Sequence, residues 1–144
     1  MGGVLRVSIP ATMTTAEEER WVAEMVRRIE RRSAASRIDL AARAEVLAER
    51  YRLPRPASIR WVDNQQWRWG SCTPADGTVR VSSRLAGEPG WVLDYVVVHE
   101  LAHLVVAGHG RRFWALVRRY PLAERARGFL MARGIDAGIE TGGE

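Results

Sequence analysis

The 144-residue sequence has no lysine, one cysteine and only three histidines. The lone Cys72 excludes an intrachain disulfide, and such a chain suits a reducing, cytoplasmic compartment. Met1 to Pro10 lacks the uninterrupted apolar run of a signal peptide. The most apolar stretch, Trp91 to Ala107, carries Asp94, His99, Glu100 and His103. Those four residues disqualify it as an ordinary membrane span, so no membrane partner is expected. No internal repeat is present. Disorder is excluded too, because 47% of positions are hydrophobic and six tryptophans need burial. What remains is one globular domain over residues 1–136, able to bury roughly 68–70% of its unfolded surface. A loose, acidic, glycine-rich tail is expected over 137–144.

Without lysine, all 22 basic residues are arginine, and the net charge is +5. The excess is local. Residues 14–110 are close to neutral, whereas 111–133 hold seven arginines against Glu124 alone, and the last eleven residues hold three acids and no base. Such a run reads either as a solvated helix face or as a site for an anionic partner: phosphate, nucleic acid or an acidic peptide. Arg111, Arg118 and Arg125 recur every seven residues and form one stripe if a single helix continues through Pro121.

The periodicities predict an α+β fold. Val4 to Ile9 alternates as a half-buried strand does. Thr14 and Thr15, three residues before Glu17 and Glu18, form a capping-box pattern ahead of Trp21, Val22, Met25, Val26 and Ile29 at helical spacing. Polar residues Arg31 to Ser36 end that periodicity. Ser36 and Asp39 open a second helix, with Leu40, Ala44, Leu47 and Tyr51 on one stripe. Strands are predicted over Ser58–Val62, Gln66–Cys72 and Thr78–Ser83, with Pro74 to Gly77 as a turn, and together they suggest a small antiparallel sheet. Trp67 and Trp69 alternate with Arg68 and should share the core face. An apolar helix follows from Pro89-Gly90 to about Ala107, ended by Gly108-His109-Gly110. A short helix over Arg111–Tyr120 and another from Pro121 to near Gly134 complete the chain.

The strongest chemical signal is His99-Glu100-Leu101-Ala102-His103. All three histidines of the chain lie between positions 99 and 109. Residues i and i+4 share one helix face, so both imidazoles can reach one ion. Zn2+ takes nitrogen ligands at about 2.0–2.1 Å in tetrahedral geometry. Glu100 stands beside such an ion rather than on it, placed to take a proton from an activated water and return it to a leaving group. A catalytic zinc needs a third protein ligand and one open position. His109, beyond a glycine that can turn the chain back, is the candidate. The spacing i, i+4, i+10 matches that of metzincins, but their glycine at i+7 is here Val106.

Arg68-Trp69-Gly70-Ser71-Cys72, Asp94 to Leu104, His109 and Phe113-Trp114 together resemble the YgjP-like metallopeptidase family, closely over about residues 60–121. The resemblance implies a minimal zincin-like fold, with a small sheet packed on an active-site HExxH helix and flanking helices. It implies zinc held by His99, His103 and His109, with Glu100 as base, and the Arg-Trp-Gly-Ser-Cys strand close by. Family members are metal-dependent peptidases or nucleoside triphosphate pyrophosphatases. This chain departs from the pattern in its short N-terminal region and in having Ser82-Ser83 where members often have Asn-Trp.

Other residues admit two readings each. Cys72 is a fourth ligand, a nucleophile or a small buried strand residue. Arg68 stabilises an oxyanion or a phosphate, or pairs with Asp94. Asp94 itself is a fair candidate to hold a histidine N–H. Tyr95, one turn before His99, donates to a developing oxyanion or simply packs. Arg111 and Arg112 begin the basic segment two residues after His109 and are candidate substrate contacts.

Three functions therefore compete. The first is a zinc peptidase acting on a peptide or protein, with a sheet edge such as Thr78 to Ser83 aligning the substrate by strand addition. The second is a zinc-dependent nucleotide phosphohydrolase using Arg68, Arg111 and Arg112 on the phosphates. Three imidazoles suit zinc better than the Mg2+ common in such enzymes. The third is a nucleic-acid-associated peptidase or binding module that uses the basic 111–133 segment.

Overall fold

The computed structural model describes residues 12–63 and 68–133. The expected strand over Val4–Ile9, the tail over 137–144, and Gln66 and Trp67 of the second expected strand lie outside these residues. Helix α1 spans Thr15–Ala35. Thr14 caps it as the sequence predicts: its hydroxyl accepts from the Glu17 amide at 3.1 Å while Glu17 accepts from the Thr14 amide at 2.9 Å. The helix does not stop at the polar Arg31–Ser36 segment. Arg31 turns to Glu24 at 3.3 Å and Arg32 to Asp63 at 3.3 Å, so polar side chains continue the helix with partners of their own.

Helix α2 spans Leu40–Tyr51, capped by Asp39, whose carboxylate accepts from the Ala42 amide at 3.0 Å. It ends on Arg52 in the left-handed region at φ 56°. Arg119 closes this end by donating from one Nη to the carbonyls of Tyr51 at 3.0 Å and Arg52 at 2.8 Å. Those carbonyls are among the acceptors that a helix terminus leaves without internal partners.

The strands are β1 (Ser58–Val62), β2 (Gly70–Thr73) and β3 (Thr78–Ser82), in the spatial order β1-β3-β2. The α+β class predicted from sequence is the class observed. The sheet is mixed, however, not wholly antiparallel: β2 pairs antiparallel to β3, but β1 pairs parallel to it. The β2–β3 hairpin closes through Pro74–Gly77, with Gly77 at φ 74°. A Cβ at Gly77 would stand 3.1 Å from the Ala57 amide nitrogen, and the Ala57 amide donates to the Gly77 carbonyl at 2.8 Å. The hairpin tip thus meets the start of β1, which runs parallel to β3. β3 lies at the centre, so Thr78–Ser83 is not a free edge.

A short 3-10 helix over Ser83–Gly87 follows. Ser82 and Ser83 are both buried. Ser82 accepts from the Arg84 amide at 3.3 Å, and the Ser83 hydroxyl donates to Asp63. Ser83 therefore ties the end of the sheet to the loop after β1, and Ser82 caps the short helix.

Helix α3 spans Gly90–His103, and from Val92 to Ala102 every residue except Asp94 is buried. A helix apolar on all sides belongs at the centre of the molecule. It packs against Val79 and Val81 of the sheet, against α2, and against α4 (Arg111–Val117) and α5 (Ala123–Arg133). It stops at His103 rather than about Ala107. Beyond it, the Val106 carbonyl accepts from His103 Nδ1 at 3.1 Å, and Gly108 at φ 77° reverses the chain.

Candidate metal centre

His99 and His103 lie one turn apart on α3, with ring centroids 4.9 Å apart. The reversal at Gly108 brings His109 back to them, with its Nε2 3.0 Å from His103 Nε2. One ligand nitrogen from each ring lies within 4.8 Å of the other two. The structure thus brings together all three sequence-predicted ligands. Because His103 Nδ1 donates to the Val106 carbonyl, its Nε2 carries the lone pair. Burial, and then the neighbouring His99, hold His103 below its ordinary pKa of 6.5, which favours the neutral imidazole that binds metals.

His99 is only 2% exposed, and its Nε2 is buried without a hydrogen-bond partner. An orphaned buried polar atom costs about 1–3 kcal/mol. Coordination of a cation would offset that cost. The donor set fits zinc: three imidazoles suit it, and two nitrogens on a tetrahedral Zn2+ stand roughly 3.3 Å apart, close to the observed His103–His109 separation.

Glu100 is buried beside the imidazoles, its Oε2 3.2 Å from His99 Nδ1. It lies outside the converging set of ligand atoms. A cleft of about 250 Å3 opens over this floor, walled by Arg68, Gly70, Ser71, Cys72 and Pro74. Gly70 is there for a packing reason. A Cβ on it would meet Val96 Cγ1 at 3.0 Å, and the Arg80 carbonyl and Glu100 Cγ at 3.2 Å each. The isolated glycine opening β2 was a legible signal of close backbone approach.

Cys72 lines the cleft but stands outside the ligand set. Burial, then the charge of Glu100, push its thiol up to about 11, so without a metal partner it is a neutral thiol at neutral pH. Arg68 lines the cleft, and its carbonyl accepts from Arg84 at 3.1 Å. It does not pair with Asp94. That carboxylate pairs with Arg43 of α2 at 2.8 Å, and burial raises its pKa. Asp94 therefore faces α2 rather than a histidine. Trp69 is buried, as expected. Tyr95 is fully buried with its ring edge-on to His99, centroids 5.9 Å apart, and does not line the cleft. Arg111 and Arg112 are exposed at the start of α4, also outside the cleft.

The seven-residue arginine stripe does not form, because α4 and α5 are separate helices broken at Pro121. Much of the basic segment has internal work. Arg118 pairs with Glu124 at 3.0 Å, Arg119 caps α2, Arg127 covers the Trp114 ring at 4.5 Å, and Arg133 pairs with Glu88 at 2.9 Å. Spacing alone did not show that Phe113 touches all three histidine rings; its only signal was its place in the Phe-Trp motif.

A model of the YgjP-like metallopeptidase domain matches residues 4–130. No curated protein matches the sequence. Two solved structures share the fold. The metallopeptidase zymogen abylysin of Pyrococcus abyssi has a TM-score of 0.58 at 19% identity, over 66% of this chain and 94% of that one. The metallopeptidase zymogen jannalysin of Methanocaldococcus jannaschii has a TM-score of 0.57 at 17% identity, over 67% of this chain and 97% of that one.

Proposed function

Because the chain belongs to the YgjP-like metallopeptidase family, we propose that it is a zinc-dependent peptidase with His99, His103 and His109 as ligands and Glu100 as general base. The observation that carries this reading is the convergence of three imidazoles in a walled cleft, one with a buried orphan nitrogen. When bound, zinc would polarise a substrate carbonyl and lower the pKa of water toward about 7. Glu100 accepts a proton from water entering the cleft and returns it to the departing amine. Arg68 on the wall is a cationic donor within the cleft, available to a bound substrate.

The strand that aligns an extended peptide is then β2 rather than β3. The Ser82 amide donates to the Trp69 carbonyl at 2.9 Å, so positions 69, 71 and 73 bond toward β3. By antiparallel alternation, the amides and carbonyls of Gly70 and Cys72 face away from it. Among the described residues β2 is an edge of the sheet, and both residues line the cleft. The nucleotide and nucleic-acid readings lack comparable support. Among the described residues, Arg68 is the one arginine lining the cleft, and the basic segment largely serves the fold.

The test is Glu100→Gln in zinc-loaded protein, assayed on a fluorogenic peptide library. Metal content should be unchanged, and hydrolysis should fall on the order of 10²- to 10⁴-fold. Wild-type rates in this variant would remove Glu100 from the chemistry. Turnover of nucleoside triphosphates by wild type alone would transfer the site to phosphohydrolysis.

A further inference from the structure

Resting on the three-histidine reading above, we infer that Phe113 is a positioning residue that sets the mutual geometry of the metal ligands. Its ring stacks on His103, centroids 4.2 Å apart and planes 20° apart. It meets His99 and His109 edge-on, each at 4.9 Å, with interplanar angles of 79° and 81°. One fully buried ring therefore touches every ligand.

The arrangement answers a need that the helix cannot meet. His99 and His103 inherit their relative position from α3, because residues four apart share a face. His109 inherits nothing from a helix; it sits on the loop between α3 and α4. Helix α4 starts directly after it, with the Trp114 amide donating to the Gly110 carbonyl at 3.1 Å. That first turn drives Phe113 back among the imidazoles. A stacked face on one ring and edges toward two others leave each imidazole few orientations, and aromatic contacts of this kind prefer such offset and T-shaped geometries. Groups that orient ligands without touching the metal affect its affinity strongly.

A purely space-filling Phe113 predicts something different, and the two accounts separate experimentally. Zinc affinity is measured by competition with a chromophoric chelator for wild type, F113L and V117A. Val117 is as buried as Phe113 and one turn further along the same helix, and it carries no ring. F113L keeps an apolar side chain but loses the flat ring. Its zinc Kd should rise on the order of tenfold, and its Co2+-substituted form should show an altered visible spectrum. V117A should lose thermal stability, yet keep a Kd within about twofold and the wild-type Co2+ spectrum. If F113L fails to fold, F113M carries the same expectation. An F113L affinity equal to wild type, or an equal loss in V117A, overturns this inference alone. A wild type that binds no zinc overturns the three-histidine reading and this inference with it.

Discussion

Helices α1 and α3 are held by opposite means. In α1, with 21 residues, the only buried one is Ala35, and Ile29 of its apolar stripe is 41% exposed. A capping box and charged pairs to Glu24 and Asp63 stabilise it. In α3, with 14 residues, ten are buried and no side chain caps the N-terminus. Burial does there what local signals do in α1. Most helical stability in proteins comes from such tertiary packing rather than from propensity. Two of the three candidate ligands, His99 and His103, lie on the helix whose geometry is dictated by its surroundings.

That contrast can be broken at several points. The largest effect is expected from His99→Ala, which removes a proposed ligand from the buried helix. Most bound zinc should be lost, as read by elemental analysis, and peptide hydrolysis with it; full metal content would refute the assignment. Gly70→Ala comes next. The new methyl presses on Val96, on a backbone carbonyl and on Glu100, and overpacking of this kind costs about 1–3 kcal/mol. Calorimetry should show a lowered Tm, and hydrolysis should fall through the displaced Glu100. An unchanged Tm would show that β2 yields easily.

On the exposed helix the effects shrink. Thr14→Ala removes one half of the capping box and should cost about 1 kcal/mol, without changing zinc affinity. A change in affinity would mean that α1 is coupled to the site. The smallest effect concerns Asp63, whose pKa is lowered first by the Ser83 hydrogen bond and then by Arg32. A carboxylate with a lowered folded-state pKa stabilises above its ordinary value, here 3.8, and loses that contribution as pH falls through the lowered one. The half-exposed Arg32 pair is screened by solvent. Wild type should therefore be slightly more stable than Asp63→Asn at neutral pH, and the two should converge on acidification below 3.8. A gap that persisted in acid would assign the difference to something other than ionisation.

What was legible in the sequence was local. Thr14 and Asp39 as caps, β1 over Ser58–Val62, the turn at Gly77 and the histidine spacing all follow from interactions within a few residues. The parallel pairing of β1 with β3 depends on contacts between distant residues, which alternation does not encode. Helix α3 looked longer because Leu104 to Ala107 is apolar; it ends early because His103 takes the Val106 carbonyl and the chain must return. Arg68 seemed free to pair with Asp94 until α2 supplied Arg43. The arginine stripe assumed one helix where Pro121 makes two. The role of Phe113 was invisible because a lone aromatic in an apolar segment reads as core, which it also is.

The three candidate ligands, the candidate base and the ring that packs on them all fall between positions 99 and 113. Closing a loop this short has a small entropic cost, which grows only as the logarithm of its length. The order of contacts within the constellation is therefore low, and its parts meet without waiting for distant segments. The sheet and the flanking helices act as an insulating jacket around a locally wired centre. Sequence drift in the jacket can reshape the wall that a substrate meets while leaving the wiring intact.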